Sequence, residues 1–183
     1  MKLNWQEINI PGCFVCKLDI FVDNRGSFQK IFNSKDFAKV IPNFLPRESY
    51  ITSSAKEVLR GLHFQLPPDD HDKVVICLGG AALDVIVDLR AGQNYGNVES
   101  IELTPDYVNC VVMPKGVGHG FYSHMDNTKL LYIVGTTYAP QTDSGILWSS
   151  INFEWPSSSP ILSDRDKQHP SFNEFIPPDV WRN

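Results

Sequence analysis

The chain has 183 residues, enough for one domain that buries most of its apolar surface without disulfide or metal staples. Its 21 acidic against 16 basic residues leave a mildly acidic protein, which argues against non-specific nucleic-acid binding through a basic face. No apolar run approaches the ~20 residues of a membrane span. The opening Met1-Lys2-Leu3-Asn4-Trp5-Gln6-Glu7 lacks the apolar stretch of a signal peptide, so a cytoplasmic location is expected.

The first strand signal runs from Gly12 to Leu18 and contains Cys13 and Cys16. Their C-x-x-C spacing raises thiol redox chemistry or zinc. Positions three apart on a strand face opposite sides, however, and no helix follows as in thioredoxin-like motifs. The other cysteines, Cys77 and Cys110, supply no second close pair. Four reduced, buried cysteines are expected.

A strand is predicted from Ser27 to Phe32, then a short helix over Ser34 to Ile41, capped by Asn33 or Ser34 and ended by Pro42. Further strands are predicted over Tyr50 to Ser54, Val58 to Leu66, Lys73 to Leu78 and Ala82 to Leu89. In the last of these, Leu83, Val85, Val87 and Leu89 share one face, with Asp84, Ile86 and Asp88 on the other. Val98 to Leu103, Val108 to Met113, Gly120 to Ser123 and Lys129 to Gly135 complete the set. Turn residues separate these runs, as at Gly79-Gly80 and Pro114-Lys115-Gly116. From Trp155 the tail is rich in Pro and Ser and reads as loops with one helical turn. There is no internal repeat and no linker, so residues 1–183 are expected to form a single all-β domain, and a jelly roll fits the length.

One stretch carries more than packing. Val58-Leu59-Arg60-Gly61-Leu62-His63-Phe64-Gln65-Leu66 places a histidine in an apolar strand, with a cation three residues before it and Lys73 ten after it. Unpaired buried polar groups cost roughly 2–7 kcal/mol, so such a set points to an anion-binding site that contains a base. If Leu62 and Phe64 pack into the sheet, His63 faces the other side with Gly61 and Gln65. Strict alternation then sets Arg60 opposite His63, and a shared site requires a bulge, which Gly61 can supply. His119 lies in Gly118-His119-Gly120-Phe121, a glycine-loosened turn into a strand. Tyr132 shares a strand face with Leu130 and Val134, and Tyr138 precedes Ala139-Pro140 at a strand end. Barrels that hold iron or zinc often do so through an H-x-H pair. Here the stretch reads His63-Phe64-Gln65, and no metal is expected.

Several motifs taken in order resemble the dTDP-4-dehydrorhamnose 3,5-epimerases, metal-free cupins of nucleotide-sugar metabolism. They are Asp23-Asn24-Arg25-Gly26, Val58-Leu59-Arg60-Gly61-Leu62-His63, Lys73, Asp84 to Arg90, Gly118-His119-Gly120-Phe121, Tyr132, Tyr138-Ala139-Pro140 and Pro160 to Asp166. The resemblance runs from about Phe21 to Pro170. It implies a cupin jelly-roll barrel that needs no cofactor and acts on a nucleotide-linked 4-keto-6-deoxy sugar. By this likeness His63 is the base, Asp166 orients its imidazole, Lys73 stabilises the enolate oxygen, and Tyr132 returns a proton on the opposite face. Arg60, His119 and Tyr138 are implied at the substrate, with Tyr138 stacked on the pyrimidine. Arg25 is implied to reach the nucleotide of a partner subunit in a homodimer.

The chain departs from the family pattern at substrate-binding positions. Lys30 stands where relatives carry a glutamate, Glu48-Ser49-Tyr50 where they carry Gln-Asp-Asn, Asp143 for a glutamate and Arg165 for a lysine. Altered charge around a site changes which ligands it rejects, so a different 4-keto nucleotide sugar, or inversion at one centre only, is expected. Two other readings are a 3,4-ketoisomerase and a non-catalytic sugar-binding cupin. Tyr132 favours epimerisation, since a ketone shift has no use for a donor on the far face.

Overall fold

The computed structural model describes residues 3–181. In chain order it contains β1 (Gln6–Glu7), β2 (Phe14–Cys16), β3 (Ile20–Asp23), β4 (Gly26–Gln29), α1 (Ser34–Phe37), β5 (Glu48–Ser54) and β6 (Leu59–Gln65). There follow β7 (Lys73–Gly79), β8 (Ala82–Asp88), β9 (Val98–Leu103), β10 (Cys110–Met113), β11 (Val117–Ser123), β12 (Thr128–Val134) and β13 (Asp143–Gly145). The tail adds three turns of 3-10 helix, at Trp148–Ser150, Phe172–Glu174 and Asp179–Trp181. No helix among the described residues is long and apolar enough to cross a membrane.

Two antiparallel sheets make a jelly-roll barrel. One has the order β1-β2-β10-β7-β12-β5, the other β13-β6-β11-β8-β9, and β3 and β4 form a separate hairpin. Alternation sorts each strand between the barrel interior and an outer face. Val75, Cys77, Ile86, Phe121 and Leu130 meet in the interior. Val74, Ile76, Leu131 and Ile133 point outward beneath Leu3, Leu18, Phe37 and Ile41 of the N-terminal segment. Val85, Val87, Leu62 and Phe64 point outward from the second sheet beneath Trp155 and Trp181 of the tail. Leu62 and Phe64 are therefore packed as expected, but under the tail, which turns His63 toward the barrel interior. Cys13 faces the interior core and Cys16 the outer one, the opposite orientation required of strand positions three apart.

The helix is shorter than predicted. Asn33 caps it by accepting from Lys35 N at 3.0 Å. Beyond Phe37 three-residue bonds intrude, Lys39 N to Asp36 O and Val40 N to Phe37 O, beside a last four-residue bond from Ile41 N to Phe37 O, and Pro42 disfavours helical geometry at Ile41. The strand expected to begin at Gly120 begins at Val117, so His119 sits within β11 rather than in a turn. Three strands, β1, β3 and β13, lie outside the predicted set; all are two to four residues long.

The expected irregularity in β6 is present. His63 pairs with His119 and Arg60 with Phe121, three steps along β6 against two along β11, so β6 carries one extra residue. Gly61 occupies it at φ +133, and a Cβ there would lie 2.4 Å from Gly120 Cα and 2.9 Å from His119 O. Both obstacles are backbone and cannot swing aside. Gly61→Ala is expected to cost on the order of 3 kcal/mol, read as a lower urea midpoint at unchanged slope.

Candidate active site

The bulge brings Arg60 and His63 to the same cavity, a cleft of about 360 Å³ that also receives Lys73, His119 and Tyr132. That volume lies in the range of small-molecule sites. His63 Nε2 lies 2.5 Å from Asp166 Oδ1, a contact across 103 residues of sequence. Asp166 is itself held by Ser163, whose Oγ donates to Asp166 Oδ2 at 2.8 Å and accepts from Asp166 N at 3.1 Å. The tail is fastened nearby, as Leu59 N donates to Ile161 O and Ile161 N to Glu57 O.

This pair sets the state of the imidazole. Burial lowers the His63 pKa and Asp166 recovers only part of the loss, so the ring stays neutral near pH 7. Burial would raise the Asp166 carboxyl, but the His169 and His63 imidazoles and the Ser163 hydroxyl outweigh it and hold the group well below the usual carboxylate range. An ionised carboxylate beside Nε2 selects the Nε2–H tautomer and leaves the lone pair on Nδ1. The free Nδ1 lone pair can accept a proton.

The facing sheet supplies an ammonium and a phenol. Lys73, at the start of β7, is buried to 8% exposure, and its pKa falls to about 8 because burial penalises the ammonium more than Asp84 and Asp143 restore it. Tyr132 on β12 is also buried; burial, then Tyr50 and Asp84, push its phenol well above the ordinary value. Such a phenol holds its proton until a strong base develops beside it. The Tyr50 ring stacks on it at 4.7 Å and 11°, and burial with Glu48 and Asp143 pushes the Tyr50 hydroxyl up to about 12. Next to Tyr132, His119 Nε2 lies 2.7 Å from Asp84 Oδ1, and Asp84 Oδ2 is buried without a hydrogen-bond partner. Strand alternation puts Asp84 on the inward face of β8 but does not reveal this second carboxylate–imidazole pair.

The rim is a polar network. Tyr138 N donates to Glu48 Oε2 at 2.8 Å, Tyr138 Oη donates to Asp143 Oδ2 at 3.2 Å, and Arg165 pairs with Asp143 Oδ1 at 2.7 Å. Arg60 is aimed by donating to Ser54 Oγ at 3.1 Å. Tyr50, Tyr138, Asp143, Arg165 and Glu48 thus gather at one mouth with the inner residues. Three candidates do not. Ser49 is on the outer face of β5, because alternation that turns Glu48 and Tyr50 inward turns it out. Lys30 is exposed just past β4, and Arg25, at the hairpin turn, is 86% exposed and paired with Asp23.

Two further residues belong to the site without having been legible as candidates. Gln65 ties the far loop together, donating to Asp69 O and Thr136 Oγ1 and accepting from Ala139 N. His71 Nδ1 lies 2.6 Å from Thr136 Oγ1 at the cavity wall. Its one local signal is the Pro/Asp-rich loop around it.

A barrel that presents a carboxylate-held imidazole on one wall, and a buried ammonium and phenol on the other, suits an isomerase that moves protons at carbon. The relatives agree: the chain belongs to the dTDP-4-dehydrorhamnose 3,5-epimerase family, whose sequence model matches residues 7–174, and it is a nucleotide-sugar epimerase. It is 36% identical to a dTDP-4-dehydrorhamnose 3,5-epimerase of Escherichia coli over 95% of this chain and 97% of that one. It is 36% identical to a dTDP-4-dehydrorhamnose 3-epimerase of Streptomyces niveus, over 87% of this chain and 79% of the other. A crystal structure of the 3,5-epimerase from Bacillus anthracis with TDP and pyrophosphate bound superposes at a TM-score of 0.86. It is 32% identical and covers 92% of this chain and 99% of that one.

His71 makes the cavity wall sensitive to acid. Burial, then the Lys73 charge, lower its pKa from 6.5 to about 4. Between those values the unfolded chain binds a proton that the folded chain refuses, so stability is present above the window and falls as pH drops through it. The slope reaches up to ~1.4 kcal/mol per pH unit. His71→Asn should flatten this loss, measured as the wild-type-minus-variant difference in urea unfolding at neutral pH and at the acid end of the window.

Proposed function

We propose that this protein epimerises C3 and/or C5 of a nucleotide-linked 4-keto-6-deoxy sugar, with His63 as base and Tyr132 as the opposite-face acid. What carries the reading is the placement of these groups on facing sheets, with Lys73 beside the acid. His63 Nδ1 takes the proton from a carbon next to the ketone, and the electron pair moves onto the ketone oxygen. The Lys73 ammonium stabilises the enolate that forms there, and stabilising developing charge is usually what lowers such a barrier most. Tyr132 then donates to the other face and recovers its proton from solvent, while His63 releases its own. Hydrogen leaves and returns as a proton, so the step calls for no redox cofactor. Arg60 and His119 are assigned to substrate contacts, and Tyr138 to stacking on the nucleotide base. The four buried cysteines suit a reducing compartment such as the cytoplasm.

The groups separate under mutation. His63→Asn should reduce solvent deuterium incorporation at C3 and C5 of dTDP-4-keto-6-deoxyglucose by about 10²–10⁴-fold, read by NMR. Tyr132→Phe should still exchange, because His63 can return a deuteron to the face it deprotonated, but without inversion. Exchange at one carbon or both identifies the inverted centre. A wild type that exchanges neither would overturn the proposal and favour a binding protein. The pH profile of kcat/KM should rise as His63 loses its proton, below 6.5, and fall near about 8 as Lys73 does. Lys73→Arg should remove the alkaline limb.

We also propose a homodimer built through the hairpin. Phe21, Val22 and Phe28 are 53%, 77% and 61% exposed there, and β5 ends its sheet with an unpaired edge beside exposed Ile51. An open edge with apolar neighbours invites strand pairing with a second copy. That arrangement would give Arg25 a cavity to reach. Phe28→Glu is expected to yield monomers by sedimentation and to weaken substrate binding.

A further inference from the structure

His169 is a largely buried titratable side chain that the proposed reaction leaves unused. Its imidazole is 10% exposed, and its Nε2 is buried with no hydrogen-bond partner. That nitrogen stands 3.7 Å from Asp166 Oδ1, the oxygen already engaged by His63. The two imidazoles meet edge to face, with centroids 5.5 Å apart. Gly145, opposite His63 in the sheet, keeps the space open, since a Cβ there would lie 2.6 Å from His169 Nε2. One ligand atom from each of His63, Asp166 and His169 lies within 4.8 Å of the others.

We propose that these three side chains form an inhibitory site for a divalent cation of the zinc class. Zinc takes imidazole nitrogen and carboxylate oxygen at about 2.0–2.2 Å, which sets ligands on one ion roughly 3.3 Å apart. To reach that spacing the His63–Asp166 contact opens from 2.5 Å and the His169–Asp166 contact closes from 3.7 Å. Two histidines and a carboxylate leave a coordination position for water, and satisfy the orphaned His169 nitrogen. The consequence follows from the tautomer. A cation on His63 Nε2 uses that lone pair, so the single proton of the neutral ring moves to Nδ1. The ring then has no lone pair to accept a proton from the sugar. The cation would switch the base off without occupying the substrate cleft.

The inhibition rests on His63 being the base, but binding can be measured without substrate. Zinc is titrated calorimetrically into metal-free wild type, and cobalt(II) absorption reports a nitrogen- and oxygen-ligated site. One ion per chain is expected, weakened at least ~10²-fold in both His169→Leu and His169→Gln, as loss of a ligand should exceed the 10–100-fold typical of an outer partner. Each variant's fold is checked by thermal unfolding. Zinc should lower wild-type deuterium exchange ~10²-fold or more relative to the same protein in EDTA, and leave the variants' ratio near unity. The proposal is overturned if wild type binds no zinc, if neither His169 variant weakens binding, or if zinc-loaded wild type exchanges at its full rate.

Discussion

The single extra residue in β6 is the constraint on which the site depends. A strand with unbroken alternation would send Arg60 and His63 to opposite faces, one into the barrel and one beneath the tail. The bulge turns both into the cavity while Leu59, Leu62 and Phe64 stay in the outer core. It is possible because Gly61 lies almost on Gly120, where neither strand has a side chain to separate the backbones. His63 then reaches Asp166, and Arg60 reaches Ser54.

The cavity gathers ionisable groups whose affinities for protons are driven apart. Burial pushes His63 and Lys73 down and Tyr132 up, while neighbouring donors hold Asp166 down. The same desolvation therefore yields a neutral imidazole, an ammonium that holds its proton loosely, and a phenol that keeps its own. Divergence of this kind is what separates acid from base at a single pH. The carboxylates do the remaining work by position: Asp166 selects a tautomer and Asp84 restrains His119.

The C-terminal tail has two roles that cannot be separated. Its aromatic residues, Trp155 and Trp181 among them, cover the outer face of the second sheet. The same segment carries Ser163, Asp166 and His169 to the back of His63. Loss of tail packing would loosen the base as well as the barrel. The tail thus links stability to chemistry, and the hairpin toward the other end of the chain leaves Phe21, Val22 and Phe28 exposed.

Much was legible in the chain because strand alternation is a local property. The longer strands, the opposite orientation of Cys13 and Cys16, the sorting of β8 into two faces and the need for a bulge at Gly61 all follow from residue order. The outward position of Ser49 does not: the family likeness implied it at the substrate, and the pairing of β5 turns it away. The family motifs added the pairing of His63 with Asp166, which no local periodicity implies. Only the tertiary structure decided that Leu62 and Phe64 pack under the tail, that Asp84 meets His119, and that His169 meets His63 edge to face. It also decided β13, three residues that form a strand because β6 offers them an edge. The reason is physical: alternation is set by each residue's own backbone, whereas these contacts join groups tens of residues apart and exist only once two sheets and a tail have closed around a shared volume.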